Sequence, residues 1–595
     1  MNGSRRRGLQ ALSGLTAWGA VGPAIWGLSA CGREAGTLLP PQVTGDWLGP
    51  VMARGHRWRD GPTPAHAAAD QARRVHVLVV GAGVAGLSAA HHLMQAGVDD
   101  LAVIDLDDVP GGNAQGHHMA GLACPVGAHY LPMPGPEVPA VQAWLAEIGV
   151  IRHEHGRWRA DERYACHAPQ ERLFVPEPGA ASGPEGLWRR GHWQDGLWPP
   201  MPPSTAAQGQ WRRLADAIAQ VRRDLGFAMP THSAPWTRGH DALDGQTFAH
   251  WLDTQGFTDP GLRWSMDYVC RDDYGAGAQR VSAWAGLHYF ASRHGLNLPG
   301  GAEEAHDPVL TWPEGNGWLT QRLAAPLRER WHPGQVAHAV RDGRDGLTVH
   351  TMAAGQPQRW LAQHVVLAVP LRLAQRLLDV PLAPLQAVQP HLAMAPWLVS
   401  NLLLSAPLDP RPGEELSWDN VFYTDQGVAG LPPSLGYVNA RHQSLAQPVG
   451  HSLLTHYWAL GGDSPAQELA WRRALHEQPW RHGAEAVCRD LVRVHPDLPA
   501  KLLHIDLRRH GHAMAIPQPG LRGHPGLPAL MRPQGVQGRL HFAHADLSGY
   551  SVFEEAFTHG ERVARAIVAA GRRQAPGRVP GRAPAGGPSQ PRSKV

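Results

Sequence analysis

The chain has 595 residues, enough for an elaborate enzyme of two or more domains. Hydrophobic residues make up 43% and charged residues 18%, a globular balance that excludes the disordered class. The formal net charge of +3 sits at the ends, on Arg5, Arg6 and Arg7 and on a basic run after Gly571, so the body is mildly acidic and a poor partner for nucleic acid.

Lysine occurs twice, at Lys501 and Lys594, and neither is followed by Ser or Thr, which excludes a Walker A loop. C-x-x-C, H-E-x-x-H and G-x-S-x-G are absent. The 36 His and 23 Trp accompany abundant Gly, Ala, Pro and Arg. They reflect compositional bias and no metal site is expected from them.

At the start, Ser4-Arg5-Arg6-Arg7-Gly8-Leu9 places paired arginines ahead of a run without charge from Gly8 to Gly32. That length could span a bilayer, but Gly14, Gly19, Gly22, Pro23 and Gly27 make it a weak permanent helix. It ends Leu28-Ser29-Ala30-Cys31. The pattern resembles a twin-arginine leader closed by a bacterial lipobox. The resemblance implies that residues 1–30 are an export signal and that Cys31 is lipidated. The body would then sit on the periplasmic face, anchored to the membrane by acyl chains. An uncleaved N-terminal anchor is the alternative. Twin-arginine export of an already folded protein suits one that loads a cofactor in the cytosol.

Residues 31–73 read as a Gly-, Pro- and Ala-rich linker, and residues 571–595 as a disordered basic tail. Cys124, Cys166, Cys270 and Cys488 remain either for two bridges or as buried thiols.

Val75 to Val80 is a short β-rich run, and Gly81-Ala82-Gly83-Val84-Ala85-Gly86 follows at once. Leu87 to Ala96 reads as a helix stopped by Gly97, and Leu101 to Asp105 as a second strand. Three glycines mean little in a glycine-rich chain. Their place between a strand and a helix, with an acid closing the next strand, carries the reading. Gly81 permits a tight turn, Gly83 lets backbone approach a pyrophosphate, and Gly86 lets the helix lie close on the strand. Val84 and Ala85 open the helix whose free N–H groups and dipole face the phosphates. Asp105 would accept from the ribose hydroxyls. The unit predicts dinucleotide binding.

Asp107-Asp108-Val109-Pro110-Gly111-Gly112-Asn113 follows the acid, and Gly127-Ala128-His129-Tyr130 comes later. Near the end stand Phe542-Ala543-His544-Ala545-Asp546 and a helix-like run from Ala556 to Ala566. Pro313 to Leu319 and Val365 to Pro370 lie between. Together these segments resemble the FAD-dependent amine oxidase and carotenoid desaturase superfamily over about residues 75 to 570. The resemblance implies a Rossmann-like α/β FAD-binding domain from residues 74–130, 310–372 and 536–570. It implies an interleaved mixed-sheet α+β substrate domain from residues 131–309 and 373–535. FAD would be the cofactor. It would be held by Gly81, Gly83, Val84, Ala85, Gly86, Asp105, Gly111, Gly112, Asn113, Gly127, Val336 and Asp546. Asn113 stands where the family usually has Arg, and Asp546 is displaced from the family's acid. Val336 would touch adenine through its backbone, and Asp546 would hold the ribityl chain.

The expected catalytic group is His129, Tyr130 and His512, the last from Arg509-His510-Gly511-His512-Ala513-Met514. Further polar aromatic segments are Asp272-Asp273-Tyr274, Trp418-Asp419-Asn420 and Thr455-His456-Tyr457-Trp458. Family amine oxidases often carry a lysine beside the flavin, and the matching stretch from Met394 to Asn401 has none. The resemblance implies an exported FAD-dependent oxidoreductase that takes a hydride from a small amine or a related C–H donor to flavin N5. A desaturase- or isomerase-like enzyme of lipids or polyenes is the second reading, and a non-catalytic flavin-binding lipoprotein the third.

Overall fold

The structure, a computed structural model, describes residues 37–49, 52–61, 72–166, 171–177, 190–200, 204–293, 295–296, 309–410, 417–439, 450–535 and 538–574. The export signal, Cys31 and residues 575–595 lie outside the described residues.

Two large sheets organise the chain, giving the expected mixed α/β architecture. In the first, the strands Trp331–His332, Leu101–Ile104, Arg73–Val80 and Gln356–Leu367 run parallel in that order. Leu540–Phe542 adds beside the end of Gln356–Leu367, also parallel. Gly346–Ala353 and Gln335–Gly343 continue the other part of the long strand as an antiparallel meander. The parallel centre reads as unbroken apolar sequence because both faces are covered. One cover is the helix Val84–Gln95, which begins at the glycine turn, three residues earlier than the sequence pattern suggests.

The closing helix, Phe553–Gln574, lies on that first helix and runs four residues into the stretch expected as tail. A Cβ on Gly560 would come within 2.3 Å of the Ala85 carbonyl, so the two helices touch backbone to backbone at this glycine.

The second sheet has eight strands in the order Trp47–Leu48, Leu502–Ile516, Ala393–Leu404, Ser452–Ala459, Tyr437–Asn439, Asp419–Phe422, Glu171–Pro176 and Gly191–Asp195. It is mixed: its first pair and the Glu171–Pro176 pair with Asp419–Phe422 are parallel, and the others antiparallel. Ala393–Leu404 and Ser452–Ala459 are buried along their whole length. Helix Pro260–Tyr274 packs on one side. Asp259 caps its start by accepting from the Leu262 amide at 2.9 Å, and Gly275 ends it at φ 73°.

Part of the expected linker is woven into this sheet. Trp47–Leu48 pairs with Leu507 and Arg508, and Leu39 and Val43 are buried in the apolar cluster beneath. Glu485 accepts from the Leu38 and Leu39 amides at 3.0 and 2.8 Å. A composition rich in Gly and Pro hid two well-spaced apolar anchors. Cys124, Cys270 and Cys488 are buried free thiols, and Cys166 is buried as well.

Candidate active site

The glycine turn is built for close approach. Gly81 has φ 107° and its Cβ would meet the Ala368 carbonyl at 2.4 Å; a Cβ on Gly86 would meet the Gly81 carbonyl at 1.9 Å. Those two glycines serve the fold itself. Gly83 differs: a Cβ there would meet nothing within 4 Å, so its bare backbone faces open space. The second glycine pair docks onto it. Gly111 donates its amide to the Ala82 carbonyl at 2.8 Å and bridges to Gly83, and a Cβ on Gly112 would stand 3.3 Å from the Gly83 Cα. Val84 and Ala85 form the buried first turn of the helix behind.

Asp105 is half-buried just past the end of the second strand. It accepts from the Ala82 amide at 2.6 Å and the Asp107 amide at 2.7 Å, while burial pushes its carboxyl up to about 6. The Gln335 amide donates to the Asp105 carbonyl at 2.7 Å, which sets the next residue, Val336, beside the acid. Asp546 is also buried. One oxygen accepts the Leu371 amide at 2.9 Å, and the other faces the His544 ring at 3.1 Å, so this carboxylate serves the start of the helix Leu371–Leu377.

Asn113 does not extend toward the glycine turn. Its side chain donates to the Ala513 carbonyl in the opposite sheet. The segment after Cys124 is held the same way by three neighbouring strands. Asn401 donates to the Pro125 carbonyl at 2.9 Å, His510 to Val126 at 2.7 Å and Tyr457 to Gly127 at 3.2 Å. Three consecutive carbonyls are thus gripped by three side chains, and this grip fixes Gly127 at the rim of a cavity.

The cavity measures about 820 Å³ and lies between the two sheets. Asn113, Gly127, His129 and Tyr130 line one side. Trp397, Trp418 and Tyr457 from the second sheet line the other. His129 stacks on Tyr457 with ring centroids 4.5 Å apart and lies 5.4 Å from Trp418. Burial pushes the His129 ring down to about 3, so it stays neutral. Burial likewise raises the Tyr130 phenol well above its ordinary value. Glu171, Asp272, Asp419 and Glu554 also reach the wall. Burial and neighbouring carboxylates push Asp272 up to about 7 and raise Asp419 well above its ordinary value; burial pushes Glu554 to about 7. Among the described lining residues the guanidinium is Arg293, paired with Asp273 at 3.1 Å.

His512 is corrected by the structure. It is exposed and absent from the cavity wall, whereas His510, Ala513 and Met514 line it. Simple alternation would put 510, 512 and 514 on one face. The ladder instead breaks: Trp397 faces His510 and Ala395 faces Met514, so two extra residues bulge out between them. Sequence reading missed His510 for this reason. Glu171 carried no local signal at all, since a strand 248 residues from Asp419 in sequence places it there through register.

The residues fit a dinucleotide. Gly83 leaves room beside free helix N–H groups, the first and second glycine pairs interlock, and the buried Asn316 Oδ1 on the cavity side has no protein donor. Gly81, Gly83, Val84, Gly111 and Gly112 would hold the diphosphate, Asp105 the ribose, and Gly127 with its flanks the ring.

Comparison with known proteins agrees with this geometry. The family model for flavin containing amine oxidoreductase matches residues 84–568. Coproporphyrinogen III oxidase of Mycobacterium tuberculosis is 26% identical over 321 residues, 51% of this chain and 60% of that protein. The match therefore spans less than two thirds of that relative. Polyamine oxidase 1 of Oryza sativa subsp. japonica is 36% identical over 110 residues, 18% of this chain and 21% of its own. Among solved structures, cyclohexylamine oxidase from Brevibacterium oxydans superposes with a TM-score of 0.59 at 17% identity, over 84% of this chain and 99% of that one. A fatty acid isomerase from P. acnes superposes at 0.56 with 14% identity, over 83% of this chain and 98% of that one. The chain belongs to the flavin containing amine oxidoreductase family, with FAD as its cofactor.

Proposed function

We propose that the protein oxidises a C–H bond next to the nitrogen of a cationic amine. The observation that carries this reading is the cavity wall, where Trp397, Trp418 and Tyr457 stand with Glu171, Asp272 and Asp419. Aromatic faces and carboxylates both attract an ammonium ion. Where ionised, the same carboxylates disfavour the carboxylate of a fatty acid or a porphyrin, which supports the amine reading over the lipid one. When bound, FAD supplies the two-electron acceptor for the C–H bond.

An ammonium must shed a proton before its α-carbon can give up a hydride. His129, held neutral at about 3, is a weak sink for that proton. Glu554, at about 7 on the cavity wall in the first turn of the closing helix, is matched to accept it near neutral pH. Loss of that proton and of the hydride leaves an iminium ion, which water cleaves to a carbonyl and ammonia or a free amine. The grip on Pro125, Val126 and Gly127 holds this side of the cavity still, and the aromatic wall excludes water.

The test is single-turnover bleaching. The flavin-loaded protein is mixed without oxygen with monoamines, diamines, amino acids and unsaturated fatty acids, and its visible band is followed. Bleaching by amines is expected. Bleaching by a fatty acid alone would overturn the reading.

The leader supports a place for this activity: we infer export by the twin-arginine route and anchoring through an acylated Cys31. No helix among the described residues is long and apolar enough to cross a membrane. A Cys31→Ser variant should leave the membrane fraction, and its retention there would refute acyl anchoring.

A further inference from the structure

The chain ahead of the first dinucleotide strand is bound to both halves of the molecule. Trp47–Leu48 pairs with Leu507 and Arg508 of the second sheet. The helix Met52–Asp60 lies against the strand Gln335–Gly343 of the first sheet. Its Trp58 packs on the apolar cluster that holds Val80 and Ile104. Its His56 ring meets the ring of His476 at 4.7 Å, on the helix Pro465–Glu477 that packs on the second sheet. A mere linker needs none of these contacts.

They converge on one loop. Residues 105–115 carry the acid Asp105 and the second glycine pair, Gly111 and Gly112. At the start of this loop Arg54 donates to the Leu106 carbonyl at 2.9 Å and, through both terminal nitrogens, to the two Asp108 oxygens at 2.8 and 2.7 Å. The same guanidinium stands at the seam with the strand that carries Val336. Gly334 there donates its amide to the Asp107 carbonyl at 3.0 Å, and a Cβ on Gly334 would lie 3.7 Å from Arg54 Nη1. At the end of the loop Arg508 donates to Gln115 Oε1 at 3.3 Å. Gln115 passes the contact on, donating to Asp107 Oδ2 at 2.9 Å and to the Val109 carbonyl at 3.0 Å. The bare backbone of Gly49 lies on Arg508, since a Cβ there would come within 2.4 Å of its Nη1.

Charge gives this loop a reason to be held. Asp105, Asp107 and Asp108 put three carboxylates beside a turn that would take an anionic diphosphate. Left alone, they repel one another and that anion. Arg54 pairs with Asp108, and Arg508 faces Asp107. A bidentate guanidinium–carboxylate pair fixes direction as well as charge.

We propose that residues 37–49 and 52–61 form a clasp on the cofactor site, in which Arg54, and Arg508 beneath Gly49, pin the 105–115 loop at both ends and slow the release of FAD. The clasp acts on the cofactor and is independent of which substrate is oxidised. Slow release has a use in the exported protein inferred above, whose cofactor is loaded before export.

The experiment measures how fast FAD leaves the loaded full chain. The protein is diluted into buffer, and the flavin passing a size-exclusion filter is read by its absorbance over time. Arg54→Ala should release FAD about tenfold faster than the parent, as expected for loss of a charge-assisted pair and a carbonyl bond. Asp108→Asn breaks the same pair from its other member and should speed release about threefold or more. If the loop acids only repelled the cofactor, Asp108→Asn would slow release instead, and that result overturns the clasp. Arg59→Ala is the control, because it breaks an ion pair to Asp60 on the same helix. It should change the rate less than about twofold, as exposed pairs usually do. A rise in Arg59→Ala equal to that in Arg54→Ala would mean general loosening of the helix and also overturns the clasp. Raising salt from about 0.05 to about 0.5 M screens exposed pairs, so it should speed release from the parent more than from Arg54→Ala. If Arg54→Ala does not fold, Asp108→Asn and the salt response of the parent still decide. Release within about twofold of the parent in both loop variants overturns the proposal and leaves amine oxidation standing.

Discussion

His510 donates its Nε2–H to the Val126 carbonyl at 2.7 Å, joining the second sheet to the segment that rims the cavity. Asn401 and Tyr457 hold the carbonyls on either side. Because the ring is buried and pushed down to about 4, it acts as a neutral donor. Replacing His510 with Leu should leave the carbonyl without its donor and let the segment drift. We expect the saturating rate of anaerobic bleaching to fall about tenfold or more, since small misplacements near reacting atoms cost that much. His512→Leu, in the bulge, should change it less than twofold. Stopped-flow traces of the two variants check the contrast.

The glycines of the first turn separate cofactor binding from folding. A Cβ on Gly83 meets no protein atom within 4 Å, so Gly83→Val should fold with a melting temperature near the parent's and lose its flavin absorbance. Gly86→Val drives a side chain into the Gly81 carbonyl and should fail to fold at all. A folded, fully yellow Gly83→Val protein would remove the diphosphate from this turn.

Asn113 latches the second glycine pair to the opposite sheet through the Ala513 carbonyl. Asn113→Ala removes that bond and should lower the unfolding free energy by about 1 kcal/mol. Urea denaturation of the flavin-loaded protein measures it.

Titration of the cavity acids gives amine binding a pH dependence of fixed sign. Asp272 sits at about 7, raised by burial and by Asp273 and Glu171, with Arg293 and Arg271 opposing. Below that value it is protonated and offers a cation little, while alkyl ammonium groups, like lysine at about 10.4, stay charged. Dissociation constants for amines should therefore fall as pH rises from 6 to 8. Stability runs the other way. The folded acid holds its proton where the unfolded one, at about 3.9, has lost it, so the melting temperature without ligand should drop as pH rises through 7. Differential scanning at several pH values tests that slope, and an opposite slope would mean that Asp272 is ionised in the empty cavity.

The dinucleotide half was legible because its signals are local. Gly81 to Gly86 and Asp105 lie within one strand–helix–strand unit, where Gly81 and Gly86 answer contacts made by their neighbours and Gly83 leaves open space. The cavity was less legible because its residues converge through register. Glu171 meets Asp419 only when two distant strands pair, and His510 replaces His512 only because a bulge resets the face. The anchors Leu39 and Val43 were hidden for a related reason, since they lie in irregular chain ahead of a two-residue strand and show no period to detect.

The pairing of Trp47–Leu48 with the Leu502–Ile516 strand bears on how the protein can be handled. A shortened chain beginning at the first dinucleotide strand would keep every glycine of the cofactor turn. It would also bare a fifteen-residue strand at the margin of a large sheet, together with the sockets left by Leu39 and Val43. Such a margin recruits other chains. Trimming at that point should yield a product that precipitates or self-associates, and extending it back to residue 37 should restore a well-behaved monodisperse species.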